Sequence, residues 1–434
     1  MQIYDKSLSF YKVLFFLLPL LLENYFLKMK KALFFCLLLC ALNPIAQAFS
    51  FSDSVRVSLI TCSPGPAVYA RFGHTAIRVY DPINNIDWAF NYGMFNFNTE
   101  NFYFKFVSGQ TDYELAIQNF SHFLFEYVMR NSWVWEQVLN LTLDEKRELI
   151  DLLMINYSPE NRIYRYNFVF DNCATRPRDI IMQSLNGSLN FTARETPKTF
   201  REWLKPYIGE NTWLRFGIDM IFGNSADVVA TRMESMFLPE VLMAEFQMAE
   251  IVSFDGSVRP LVSEKNILAA KQPEKEKELF FLFTPFAVSM FLLLLGFVFL
   301  YKSRKFHKFY KTFDSVLFVL LGLIGCIIVF LDYFSLHPLV KNNANILWIN
   351  PLFLFIGIAQ WFKALRLVTF FAVVLSAILI LIALFLYVLN IVYSNIAFIP
   401  LALLLFLRMV NYIRVRLKKG IKIGNKTMRI SLWK

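Results

Sequence analysis

The sequence contains no G-x-G-x-x-G fingerprint and no glycine–lysine phosphate loop, so nothing in it is patterned to cradle a nucleotide. C-x-x-C pairs, H-x-x-x-H spacings and clustered carboxylates are also missing, which removes the common metal-binding patterns. Neither a metal nor a cofactor is expected. The loop Ser63-Pro64-Gly65 is not a G-x-S-x-G elbow, so a serine hydrolase built on that turn is excluded as well. Reactive residues are few: five cysteines and four histidines. Cys36 and Cys40 fall in an N-terminal apolar run and Cys326 in a later one. That leaves Cys62, Cys173, His74 and His122 in a central stretch of mixed, globular composition.

Apolar residues are abundant instead. At 56% hydrophobic with 48 Phe, the chain is too apolar for an ordinary soluble protein, and the excess lies at the N-terminus and after about residue 279. A net charge of +11 would suit nucleic acid, but the basic residues cluster beside apolar runs and in the tail, as cytoplasmic flanks do. No nucleic-acid partner is expected. Met29-Lys30-Lys31, the apolar core Ala32–Leu42 and Ala46-Gln47-Ala48 have the form of a secretory signal cleaved after Ala48. A start at Met29 would make the first 28 residues an upstream extension; retention of residues 10–22 and 32–48 as anchors is the alternative. The expected organisation is extension and signal over 1–48, one exported α+β domain over 49–277, a five-helix membrane domain over 278–411 and a basic tail over 412–434. Five segments are long and apolar enough to span: 279–301, 315–334, 346–362, 368–389 and 392–411. The basic clusters after the first, between the third and fourth and after the fifth fall on one side under alternation, making that side and the C-terminus cytoplasmic and the N-terminal domain external.

Within the exported domain, Val55–Thr61, His74–Tyr80 and Ile86–Met94 alternate as strands, and Thr142-Leu143-Asp144-Glu145 is a capping box before a helix to about Tyr157. Thr196–Tyr207, Thr212–Phe222, Ala226–Phe237 and Glu240–Ile251 are expected as helices. Tyr164–Phe170 alternates aromatics as a strand would and stops at Asp171-Asn172, two helix-capping residues. Cys173 therefore sits where an extended segment enters a helix. Free N–H groups and the positive dipole end stabilise a thiolate there, and Arg176 and Arg178 add charge. Pro177 makes the first turn irregular. His74, preceded by Gly73, is the expected base. Asn91, on the strand paired with that of His74, is the candidate to orient the imidazole, with Asp87 as its substitute. The competing reading of Cys173 is a disulfide with Cys62. Polar residues of the outer loop, His337 to Asn345 with Asn350, are either solvated caps or a floor that holds a lipid headgroup or positions the acceptor.

His first and an Asn-Cys dipeptide later resembles the circularly permuted papain-like thiol enzymes, which include lecithin:retinol acyltransferase and its phospholipid-acyltransferase relatives. Leu59–Gly65, Phe72–Val79, Asn91-Tyr92-Gly93, Phe170–Arg176, Phe237-Leu238-Pro239 and His337 with Asn345 are similar to the Lnb family more closely. The resemblance runs from Val55 through the membrane part. It implies an α+β, permuted papain-like periplasmic domain followed by an α-helical transmembrane bundle in the bacterial inner membrane. It also implies a thiol acyltransferase that moves an acyl chain from a membrane phospholipid to the α-amino group of a diacylated lipoprotein. On that resemblance Cys173 is the nucleophile, His74 the base and Asn91 the orienting residue. Asn172 and Arg176 would support the thiolate or oxyanion, and Tyr92, His337 and Asn345 would position lipid or acceptor. The alternatives are an envelope thiol peptidase, amidase or phospholipase, and a non-catalytic assembly protein.

Overall fold

Alternating apolar and polar residues in Arg56–Cys62 (β1), His74–Asp81 (β2) and Ile86–Met94 (β3) place three antiparallel strands side by side at the centre of the exported part. The computed structural model describes residues 30, 51–95, 98–192, 196–272, 280–302, 307–419, 421–423 and 426–428. The expected leader over 1–48, the linker at 273–279 and much of the basic tail lie outside them. The chain divides into two units, Met1–Ser52 and Asp53–Lys434, and the second holds the sheets and the membrane helices.

Around the central hairpin the chain adds helix α1 (Phe102–Ser108), β4 (Asp112–Asn119), α2 (Phe120–Met129), β5 (Val134–Leu139), α3 (Leu143–Tyr157), β6 (Ile163–Arg165), α4 (Thr175–Gln183) and β7 (Gly187–Phe191). Then come α5 (Phe200–Ile208), α6 (Trp213–Ile221), α7 (Pro239–Met248), β8 (Ala249–Ser253), β9 (Val258–Pro260) and β10 (Val262–Ala269). Among the described residues the main sheet runs β10-β5-β1-β2-β3-β4-β6, every neighbour antiparallel. Helix α2 covers the face bearing Ile60, Cys62 and Ala76, through Phe120, Phe123 and Tyr127. Helix α7 packs on the other, where Gln137 of β5 donates to the Met243 carbonyl.

Three expected elements differ. The strand expected over Tyr164–Phe170 ends at Arg165, because the Asn167 side chain accepts the N–H groups of Val169 and Phe170 and turns the chain. The helix expected over Ala226–Phe237 shrinks to one turn, Arg232–Ser235. The β-branched Val229 and its neighbour Ala230 pair instead with Lys198–Thr199. The helix expected over Glu240–Ile251 stops at Met248, since Ala249–Ser253 becomes the middle strand of a second sheet, β9-β8-β7.

After Phe280 the helices are α8 (Pro285–Lys302), α9 (His307–Phe334), α10 (Leu352–Ala359), α11 (Arg366–Val388) and α12 (Phe398–Lys419). Phe309–Phe334, Arg366–Val388 and Phe398–Lys418 are each long and apolar enough to cross a membrane. The expected span over 346–362 is not one helix. Eight residues of α10 rise only about 12 Å, well short of a hydrocarbon core of about 30 Å. Asn350-Pro351 breaks the segment, and Pro338–Leu347 meets α10 at 41°. The two halves nonetheless run back along α9 from end to end. Asn342 N–H donates to Asp332 at 2.7 Å at the outer end, and Gln360 donates to Ser315 Oγ at 3.3 Å at the other. Between them Gly322 and Gly325 let backbones touch: a Cβ on either would stand 2.1 Å from Leu354 N or 2.6 Å from Asn350 C. Among the described residues three helices are thus long and apolar enough to cross a membrane, four with the bent pair taken as one span, and Pro285–Leu300 of α8 is shorter than the span expected there.

Two seams hold the exported part to the membrane helices. Leu336 N–H, Ser335 Oγ and His337 bond the carbonyls of Ser108, Val107 and Phe106 at the end of α1. Asn343 and Asn345 donate to the carbonyls of Asp219, Met220 and Ile221 that end α6.

Candidate active site

Antiparallel register puts Cys62 of β1 opposite His74 of β2, so both side chains point to the α2 face. There the imidazole stacks on Tyr127 at 6.1 Å between ring centres and lies 6.4 Å from Phe123. Continuing the pairing of Ile77 with Phe90 brings Asn91 of β3 across from Ala76, on that same face and one step from His74. His74 Nε2 meets Asn91 Oδ1 at 2.6 Å, with Asn91 only 4% exposed. The ring's other nitrogen is left for Cys173, with which His74 is hydrogen-bonded.

Gly73 makes the approach possible. Its φ is +80°, and a Cβ there would stand 2.8 Å from the Cys62 carbonyl oxygen. Gly93 does the same opposite: its φ is +91°, and a Cβ would lie 3.5 Å from Cys173 Cβ and 4.0 Å from His74 Cε1. The place that a Cβ on Gly93 would take is free of close contacts and lies beside Cys173 and His74.

Cys173 sits one residue before the N-cap of α4. Asn172 builds that turn. Its Oδ1 accepts from the N–H groups of Ala174 and Thr175 at 2.8 and 2.9 Å, and its amide donates to the carbonyls of Phe168 and Phe237 at 2.7 and 2.9 Å. Pro177 falls within the first turn, where a missing N–H costs little. Burial alone would push the Cys173 thiol up. The facing imidazolium, its hydrogen bond, and the N–H groups of Thr75 and of Cys173 itself outweigh that and hold the thiol below its ordinary range. Burial likewise opposes the charge on His74, and the thiolate, then Asn91, raise it. Each partner thus favours the charged form of the other. Replacing Asn91 with alanine should remove one acceptor from the imidazolium and shift the pH profile of Cys173 alkylation by iodoacetamide upward by about one unit. An unchanged profile would deny Asn91 its orienting part.

The other sequence candidates have different surroundings. Asp87 is held by Arg78 at 2.7 and 2.8 Å, so it does not orient His74. His122 is exposed on α2. Cys62 and Cys173 are free thiols, not a disulfide; Cys62 is packed against α2, and burial followed by the Cys173 charge keeps it protonated. Asn172 has no free donor for an oxyanion, because its amide is bonded to the Phe168 and Phe237 carbonyls. Arg176 is bound to Asp171 at 2.9 Å and lies 3.6 Å over the Tyr164 ring. Tyr92 is 1% exposed and has no surface to offer a lipid. His337 is bonded to the Phe106 carbonyl at 2.7 Å and Asn345 to the end of α6. The latter two join the two parts of the protein rather than forming a free floor. The Tyr127 stack and the Thr75 N–H carried no sequence signal, since neither follows from strand periodicity.

Compared with known families, the chain matches the Lnb N-terminal periplasmic domain over residues 44–206 and the Lnb transmembrane domain over residues 274–420. No curated protein sequence and no solved structure was found to match it.

Proposed function

The chain belongs to the Lnb family, a membrane protein with a periplasmic N-terminal domain, and from that premise we propose that it is a lipoprotein N-acyltransferase working through Cys173. The observation that carries the reading is the line Cys173–His74–Asn91, a thiol, an imidazole and an orienting amide in hydrogen-bonded sequence. The thiolate attacks a phospholipid acyl ester, the lysophospholipid leaves with the imidazolium proton, and the lipoprotein's α-amine attacks the thioester. His74 takes the amine's proton in that second half. The permuted papain-like topology belongs to the same proposal, as do the domain limits and a cytoplasmic C-terminus.

A lipid donor is supported by where the aromatics lie. Tyr103, Phe104 and Phe106 of α1 are exposed beside the outer end of α9, with Phe104 6.0 Å from Phe330. Phe280, Phe281 and Phe283 are exposed just before α8. Such belts sit at the headgroup level of a bilayer. From α1 a run of rings leads inward: Phe102 to Phe95 at 6.0 Å, Phe95 to Tyr113 at 5.1 Å, Tyr113 to Tyr166 at 4.1 Å. Both tyrosines lie close enough to Cys173 for its charge to raise their pKa further, after burial.

The test is mass spectrometry of a lipoprotein's N-terminal lipopeptide from cells lacking this protein, complemented with wild type or with Cys173→Ala. An N-linked acyl chain is expected with wild type alone. Its absence with wild type would overturn the lipid substrate, and its return with Cys173→Ala would overturn the nucleophile.

A further inference from the structure

We infer that the Tyr164 hydroxyl is the oxyanion donor of this site, a role that rests on the acyl-transfer reading. The donors that a helix start ordinarily offers are already committed. Ala174 and Thr175 N–H go to Asn172 Oδ1, and Arg176 N–H goes to the Asn172 carbonyl at 3.2 Å. The Asn172 amide serves Phe168 and Phe237. Tyr164 differs from all of these. It is 7% exposed, and its hydroxyl is out of solvent with no hydrogen-bond partner among the described residues. Such an unpaired group is destabilising, and one beside a nucleophile is a donor waiting for an acceptor.

The geometry gives that acceptor its place. The point where a Cβ on Gly93 would stand is 4.0 Å from the Tyr164 hydroxyl, 3.5 Å from Cys173 Cβ and 4.0 Å from His74 Cε1. A carbonyl entering this gap meets the thiolate, the imidazolium and the phenol together. Tyr164 is fixed there by pairing of β6 with Tyr113 of β4 and by the Arg176 guanidinium 3.6 Å over its ring. Arg176 is thereby a positioning residue for Tyr164, itself held by Asp171. A cation over the ring face strengthens the phenol as a donor, while burial keeps the proton on it. In the step, the C–S bond forms as the carbonyl π pair moves onto oxygen, which Tyr164 O–H meets. On collapse the pair returns, the ester C–O bond breaks, and the departing alkoxide takes the imidazolium proton.

The experiment uses the full-length protein in detergent and two reagents on Cys173. p-Nitrophenyl octanoate acylates it through a tetrahedral oxyanion; iodoacetamide alkylates it by displacement at a saturated carbon and forms none. With Tyr164→Phe, which keeps the ring under Arg176, nitrophenol release should fall about 100-fold. The alkylation rate and its pH profile should stay unchanged. Parallel falls with both reagents, or no fall with either, would overturn the proposal. Wild-type protein that is alkylated but releases no nitrophenol would overturn acyl transfer itself, and the Tyr164 role with it. That arm needs no variant, so the two failures are told apart.

Discussion

Cys173→Ser is expected to lose N-acylation by about 10⁴-fold or more, the scale on which a nucleophile acting as a unit with its base is felt. The substitution keeps size and shape. What goes is the ability of a buried group to hold negative charge. For Cys173, desolvation is the largest influence and opposes ionisation, and the imidazolium and its hydrogen bond, followed by the N–H groups of Thr75 and of Cys173 itself, reverse it. A serine hydroxyl starts several pH units further from ionisation, so the same pair of interactions leaves it neutral. His74→Ala tests the other half with the nucleophile in place. Without the imidazolium, only the N–H groups of Thr75 and Cys173 still oppose burial, so the thiol pKa should move up from its lowered position. The sign is fixed by which form alkylates. Iodoacetamide reacts with thiolate, so the wild-type rate should reach its plateau at a lower pH than that of His74→Ala. Coincident profiles would mean that His74 does not sustain the thiolate, and a Cys173→Ser protein of full activity would remove the need for a thiol.

Much of this site was legible because it lies on strands. A period of two puts His74 and Asn91 on one face once β2 and β3 are paired, and an Asn-Cys step at a helix start has its own chemistry. The long-range parts were not. Tyr164 read as one aromatic in a run, and nothing local says that Asn167 ends that run or that Arg176 caps the ring. Hydropathy found where the membrane segments lie, but the break at Asn350-Pro351 is a backbone effect that hydropathy does not weigh. Gly322 and Gly325 mark that close contact with α9 only once their partner segment is known. The polar outer loop was legible as unusual and not as to its purpose, because the carbonyls it serves are more than 100 residues earlier in the chain.

Asn345→Leu decides that purpose and is expected to have the largest effect on stability. The amide donates to the Asp219 and Met220 carbonyls, each at 3.1 Å, and its oxygen accepts from Trp348 Nε1 at 2.8 Å and the Tyr387 hydroxyl at 3.0 Å. All four contacts are buried. Leucine fills the volume and satisfies none of them. Met220 keeps a bond from Asn343, and Trp348 and Tyr387 keep each other, so the Asp219 carbonyl is the group left unpaired, at about 1–3 kcal/mol. Asp219 is hit hardest, because the Gly223 N–H that would continue the helix goes to the Leu339 carbonyl instead. Its side chain also anchors Arg201, Tyr393 and Asn395, so loosening this turn loosens the network between the exported part and the loop before α12. The purified variant should therefore unfold at a clearly lower temperature, and its acylation should fall with its folded fraction while the KM for phospholipid stays put. A lipid-holding floor predicts the reverse: unchanged melting with a raised KM for the donor. That result would return Asn345 to the substrate and leave the carbonyls that end α6 to Asn343.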